Sequence, residues 1–121
     1  MGNVEFVGHK GLEILRIDLS RCEIEEIVPI LNKARKLIAG RPLKSVLTLT
    51  NVSDARYTPA LNRMMKEFVL HNKPFVNAAA VVGVDGLRKL VFEAVIKFSG
   101  RALHLAASEE EAKEWLIQQK P

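Results

Sequence analysis

The hydrophobic pattern of this chain switches again and again between alternation and helical spacing, and no other feature constrains its fold as tightly. Val4 to Val7 and Leu12 to Leu19 read as strands separated by His9-Lys10-Gly11, so the chain opens with an antiparallel hairpin. From Ser20 to Ala39 the spacing predicts a helix, with Ile24, Ile27, Val28, Leu31, Ala34 and Ile38 on one face and Gly40 and Pro42 as its stop. Ser45 to Thr50, β-branched and apolar, reads as a strand. Thr58-Pro59 is a hydroxyl cap followed by proline at the first helical position. The helix it opens carries Leu61, Met64, Met65, Phe68 and Val69, and Asn72 and Pro74 end it. Val76 to Gly83 is small and apolar on both sides, as a strand covered on both faces requires.

Gly83-Val84-Asp85-Gly86 then turns into a helix carrying Leu87, Leu90, Val91, Ala94, Val95 and Phe98, closed by Gly100. Ala102 to Ala106 reads as a last short strand. Ser108-Glu109-Glu110-Glu111 is a capping box that opens a final helix containing Trp115 and Leu116. Strands that alternate with helices pair in parallel through right-handed crossovers. The expected architecture is therefore one α/β domain over residues 1–121, with a mixed five-stranded sheet opened by the hairpin and packed by four helices.

The 121 residues are enough for one substantial core, and 48% apolar with 26% charged residues excludes a disordered chain. The net charge of +4 is spread along the sequence, with one tyrosine and one tryptophan. A stacking platform for nucleic acid needs aromatic residues interleaved with basic ones, so no nucleic acid is expected as a partner. The single cysteine, Cys22, excludes an intrachain disulfide and a cysteine-based zinc site. The first residues lack the basic and apolar regions of a signal peptide, and the longest apolar run, Ala78 to Val84, is too short to span a bilayer. A cytoplasmic location and no membrane span are the expectations.

Four segments, in their order and spacing, resemble the SpoIIAA-like superfamily, which groups STAS domains with CRAL-TRIO-type lipid-binding domains. They are Lys73-Pro74-Phe75-Val76, Ala80-Val81-Val82-Gly83, Lys97-Phe98-Ser99-Gly100-Arg101 and Glu111-Ala112-Lys113-Glu114-Trp115-Leu116. With the opening hairpin, the likeness covers nearly the whole chain. The resemblance implies a non-enzymatic, STAS-like interaction or regulatory module with a protein partner. Its lipid-binding branch implies the alternative, a domain for a small apolar ligand or lipid. In STAS domains a strand leads into an Asp-Ser-Ser-Gly-like turn whose hydroxyl accepts phosphate at a helix start. Here that pattern places Thr58 at the acceptor position, Tyr57 beside it, Arg56 where the acid stands and Pro59 where the glycine stands.

Thr58 is thus a candidate phospho-acceptor; the plainer reading is a helix cap, which by itself accounts for a Thr-Pro pair. Gly83 and Gly86, with Arg88 and Lys89, are a candidate anion site at a helix start, or the ordinary residues of a turn. Phe92 and Ile96 lie opposite the main apolar stripe of their helix. They are candidates for a homodimer interface, for the wall of an apolar ligand pocket, or for packing under a neighbouring helix.

No catalytic set is legible. His9, His71 and His104 share no metal-ligand spacing, and each reads as a surface or edge histidine. The serines lack a nucleophile-elbow context, and Cys22 reads as a structural thiol. No metal and no cofactor are expected.

Overall fold

The computed structural model of the protein describes residues 2–55, 58–84 and 103–119. Its strands are β1 (Asn3–His9), β2 (Leu12–Asp18), β3 (Val46–Asn51), β4 (Val76–Val82) and β5 (Leu103–Ala106). Its helices are α1 (Ile24–Ala39), α2 (Pro59–Asn72) and α3 (Glu109–Ile117). The strands pair in the order β1-β2-β3-β4-β5, with β1 antiparallel to β2 and each later pair parallel. The mixed five-stranded α/β sheet opened by a hairpin is therefore what the chain forms. Three helices, not four, stand among the described residues, because the helix expected over Leu87 to Phe98 lies outside them.

Side-chain alternation sorts the sheet into two faces. Leu15, Ile17, Val46, Ala79 and Val81 pack with Ile27, Leu31, Ala34 and Ile38 of α1 and with Leu61, Met65 and Phe68 of α2. Ile14, Leu47, Leu49, Ala78, Ala80 and Val82 form the other core with Ala112 and Leu116 of α3. β3 and β4 are buried on both faces, and this is why their sequences are apolar at consecutive positions.

The hairpin turn is Lys10-Gly11, with φ of 48° and 84°, so His9 belongs to β1 and the turn is one residue tighter than expected. Two consecutive positive φ values make the two-residue turn whose twist matches the flanking strands. α1 begins at Ile24 and not at Ser20, because Arg21 takes a left-handed conformation (φ 59°) that no helix accommodates. Glu23 caps it instead, through a reciprocal box with Glu26. Val28 is 39% exposed and not on the buried stripe.

The Thr58 Oγ1 accepts from the Leu61 N–H at 3.1 Å, with Pro59 at the start of α2 as expected. Ser108 caps α3 by accepting from the Glu111 N–H at 3.2 Å. The Glu111 carboxylate accepts from the Ala107 N–H at 3.0 Å, so the reciprocal half of that box falls one residue earlier than the sequence pattern implies.

Candidate functional site

Two matching turns stand side by side at the carboxyl ends of β2 and β3. Asp18-Leu19-Ser20-Arg21-Cys22 and Asn51-Val52-Ser53-Asp54-Ala55 share one pattern: a short polar side chain, an apolar residue, a serine, a charge and a small residue. The first side chain folds back on the serine in each. Asp18 Oδ1 accepts from the Ser20 N–H at 3.0 Å, and Asn51 Oδ1 accepts from the Ser53 N–H at 2.9 Å. Each turn then closes, Cys22 N–H to the Leu19 carbonyl and Ala55 N–H to the Val52 carbonyl, both at 3.1 Å. The buried anchors Leu19, Cys22, Val52 and Ala55 hold both turns to the core.

The third turn position is left-handed in both, Arg21 at φ 59° and Asp54 at φ 56°. Such a conformation costs a non-glycine residue about 1–2 kcal/mol. It persists here because the turns are bonded to each other, the Arg21 N–H donating to the Ser53 carbonyl at 2.9 Å. The two side chains project into solvent, 76% and 78% exposed, with Arg21 Nε 4.0 Å from Asp54 Oδ2. β4 ends against the second turn, where Gly83 has φ 92°. A Cβ there would lie 2.3 Å from Ser53 Oγ and 2.5 Å from the Ser53 nitrogen, so only glycine fits.

α3 ties the two turns together from the other face of the sheet. Arg16 donates through Nε and Nη2 to the two oxygens of Glu109, both at 2.8 Å. Asn51 Nδ2 donates to Glu109 Oε2 at 2.8 Å, and Arg16 Nη1 lies 3.7 Å from Asp18 Oδ2. The polar residue that heads each turn is therefore also a member of the Arg16–Glu109 cluster. The Arg16 bonds hold the Glu109 carboxyl below its ordinary range; burial opposes the shift and Asn51 adds to it.

Glu114 of α3 meets His9 Nε2 at 2.6 Å and accepts from Lys10 Nζ at 2.7 Å, while Glu111 meets His104 Nε2 at 3.1 Å. His104 also stacks on Trp115, with ring centroids 4.9 Å apart. Sequence reasoning placed these histidines at the surface and missed their glutamate partners, which lie on a separate element. It missed the paired turns too, although the repeated five-residue pattern was there to be aligned.

Of the candidate residues, Thr58 and Gly83 are among those the structure describes. Thr58 opens α2 just past the second turn, its hydroxyl engaged as a cap. Gly83 is fixed by its approach to Ser53, while Gly86, Arg88, Lys89, Phe92 and Ile96 lie outside the described residues, as do Arg56 and Tyr57. Burial pushes the Cys22 thiol up, and its Sγ lies 3.5 Å from the Ser20 carbonyl, the setting of a structural thiol. His9 and His71 stand at the opposite end of the sheet from Ser20 and Ser53, and His104 pairs with mid-strand Ala80. Among the described residues no three histidine, cysteine, aspartate or glutamate side chains converge on a point that would hold a metal, and no helix is long and apolar enough to cross a membrane.

No family model and no curated protein matches the chain. A solved structure does: an uncharacterized protein of the DUF3478 family from Shewanella loihica PV-4, described as having a SpoIIAA-like fold. It superposes with a TM-score of 0.75 at 11% identity, over 96% of this chain and 95% of that one. The fold of this chain is SpoIIAA-like.

Proposed function

We propose that this SpoIIAA-like domain works by binding and not by catalysis, as a STAS-type regulatory module whose protein partner docks on the carboxyl edge of the sheet. One observation carries the reading: the matched turns, which hold Arg21 and Asp54 side by side in left-handed backbone and expose both. Loops positioned by a rigid scaffold carry a disproportionate share of binding residues. Backbone held in a costly conformation by surrounding bonds is typical of such contact sites. The polar groups beneath are engaged in structure, Ser20 with Asp18 at 2.6 Å and Arg16 and Asn51 with Glu109. Among the described residues, display is the role this edge supports. An exposed arginine beside an exposed aspartate suits a partner with its own pair of opposite charges, which sets orientation more than affinity.

The test is affinity capture from the native cell extract with the wild-type chain and with the charge-reversed variants Arg21→Glu and Asp54→Lys. A protein captured by the wild type and lost by each single variant, at unchanged circular dichroism, supports the reading. Capture indifferent to both reversals overturns it, as does turnover of a substrate abolished by changing a single titratable side chain.

A further inference from the structure

We infer that the outer edge of β1 is a self-association surface, pairing antiparallel with β1 of a second copy of this chain about a two-fold axis at Phe6. β1 is the first strand in the sheet order, and among the described residues nothing pairs with its outer edge. The tight turn fixes which backbone groups that edge carries. His9 and Leu12 flank a two-residue loop, so they exchange hydrogen bonds with each other, and the alternation of an antiparallel ladder does the rest. The N–H and C=O groups of Asn3, Glu5, Val7 and His9 point to β2, and those of Val4, Phe6 and Gly8 point away from the sheet.

An edge of this kind is ordinarily blocked by proline, by a mid-strand lysine, by a bulge or by shortness. β1 has none of these. It runs seven residues in unbroken register from Asn3 opposite Asp18 to His9 opposite Leu12, and its one charged residue, Glu5, faces Arg16 across the ladder. By contrast β5, at the other edge, has four residues.

Gly8 is the second observation. Glycine inside a strand weakens it and marks the close approach of another backbone or a ligand. Within this chain Gly8 has no such reason: its φ lies outside the left-handed region, and a Cβ there would meet nothing within 4 Å.

The self-pairing register supplies the reason. Only one symmetric antiparallel register engages all three outward residues, with Phe6 opposite Phe6 and Val4 opposite Gly8 in both directions. Each of these pairs exchanges both of its backbone bonds. The empty position at Gly8 then faces the Val4 end of the second copy, where Ile30 of α1 packs on Gly2.

A strand edge alone is a small interface, and a half-buried apolar strip extends it. Ile30 and Leu37 share one stripe of α1, α1 lies beside β1, and both pack against the same core as Phe6, whose ring carries the Arg41 guanidinium at 4.0 Å. Pairing β1 with its copy brings α1 alongside α1 and covers this strip. A strand from a different protein would gain the backbone bonds, but not the match of Gly8 to Val4 or of strip to strip.

The test measures mass by light scattering and native mass spectrometry from low to high micromolar concentration, with backbone hydrogen exchange on the same samples. Wild-type chain should double its mass, and the Val4, Phe6 and Gly8 amides should become slow to exchange as it does. Gly8→Pro removes an outward N–H and leaves the bonds to β2 in place, so it should give a folded monomer. Val7→Pro, whose N–H faces β2, should disrupt the hairpin itself. Should Gly8→Pro fail to fold, Gly8→Lys blocks the same edge with a side chain that has open space around it. A wild type that stays monomeric overturns the inference, as does a dimer that survives either Gly8 variant or protects amides elsewhere.

Discussion

Arg16 and Glu109 grip each other through two parallel hydrogen bonds of 2.8 Å, although 93 residues separate them in the chain. The planar guanidinium matches the carboxylate fork, and both side chains are mostly shielded from solvent, 23% and 24% exposed. Arg16→Met would strand Glu109 in a half-buried site with Asn51 as its remaining hydrogen-bond donor. A loss of about 1.5–3 kcal/mol is expected, read from the urea midpoint at unchanged slope. The double variant Arg16→Met with Glu109→Leu should lose less than the two single losses added together, since it leaves no unpaired charge. A single-variant loss near zero would reduce this contact to an ordinary surface ion pair.

Acid should weaken the domain in a defined direction. The Glu109 carboxyl is held below its ordinary range in the folded chain by the Arg16 bonds. Its contribution is therefore complete above the unfolded carboxylate value of about 4.3 and is lost as pH falls through the lower folded value. Thermal midpoints followed from neutral pH to about pH 3 should fall, and Glu109→Gln should flatten part of that fall. An identical acid slope in wild type and Glu109→Gln would refute the assignment.

Gly83→Ala should destabilise by more than about 1 kcal/mol, since its φ of 92° is unfavourable to a side chain and the obstructing Ser53 atoms include backbone. Gly40→Ala makes the control, with φ of −82° and no atom nearer than 3.6 Å to the added carbon. It should be close to neutral. Equal losses at the two positions in chemical denaturation would show that Ser53 gives way.

Thr58→Ala should cost about 1 kcal/mol through the lost bond to the Leu61 N–H, while Thr58→Ser and Thr58→Asp, which keep an acceptor oxygen, should not. Denaturation of the three variants side by side decides it. A loss in Thr58→Asp as large as in Thr58→Ala would mean that something other than capping holds this residue.

The strands and two of the helix starts were legible because their signals are local. Thr58-Pro59 and Ser108 each carry their cap in the residue itself, and β4 shows its double burial in consecutive small apolar residues. The start of α1 was not legible. Ser20 resembles a cap, yet Asp18 holds it in a turn, and the left-handed Arg21 that delays the helix has no signature in residue type. The candidate site was hidden for a related reason. Its members meet across strands and across the sheet, Arg16 and Asn51 on Glu109 and Arg21 on Ser53, at separations no periodicity spans.

The docking of α3 has a consequence for biosynthesis. Residues 109–117 leave the ribosome after the five described strands have been made, and among the described residues Ala112 and Leu116 of α3 pack on Ile14, Leu47, Leu49, Ala80 and Val82. Until then those residues lack their contacts with α3, and Arg16 still awaits its carboxylate. Translation stalled within α3 would thus yield a sticky, chaperone-dependent product in place of a slightly weakened domain.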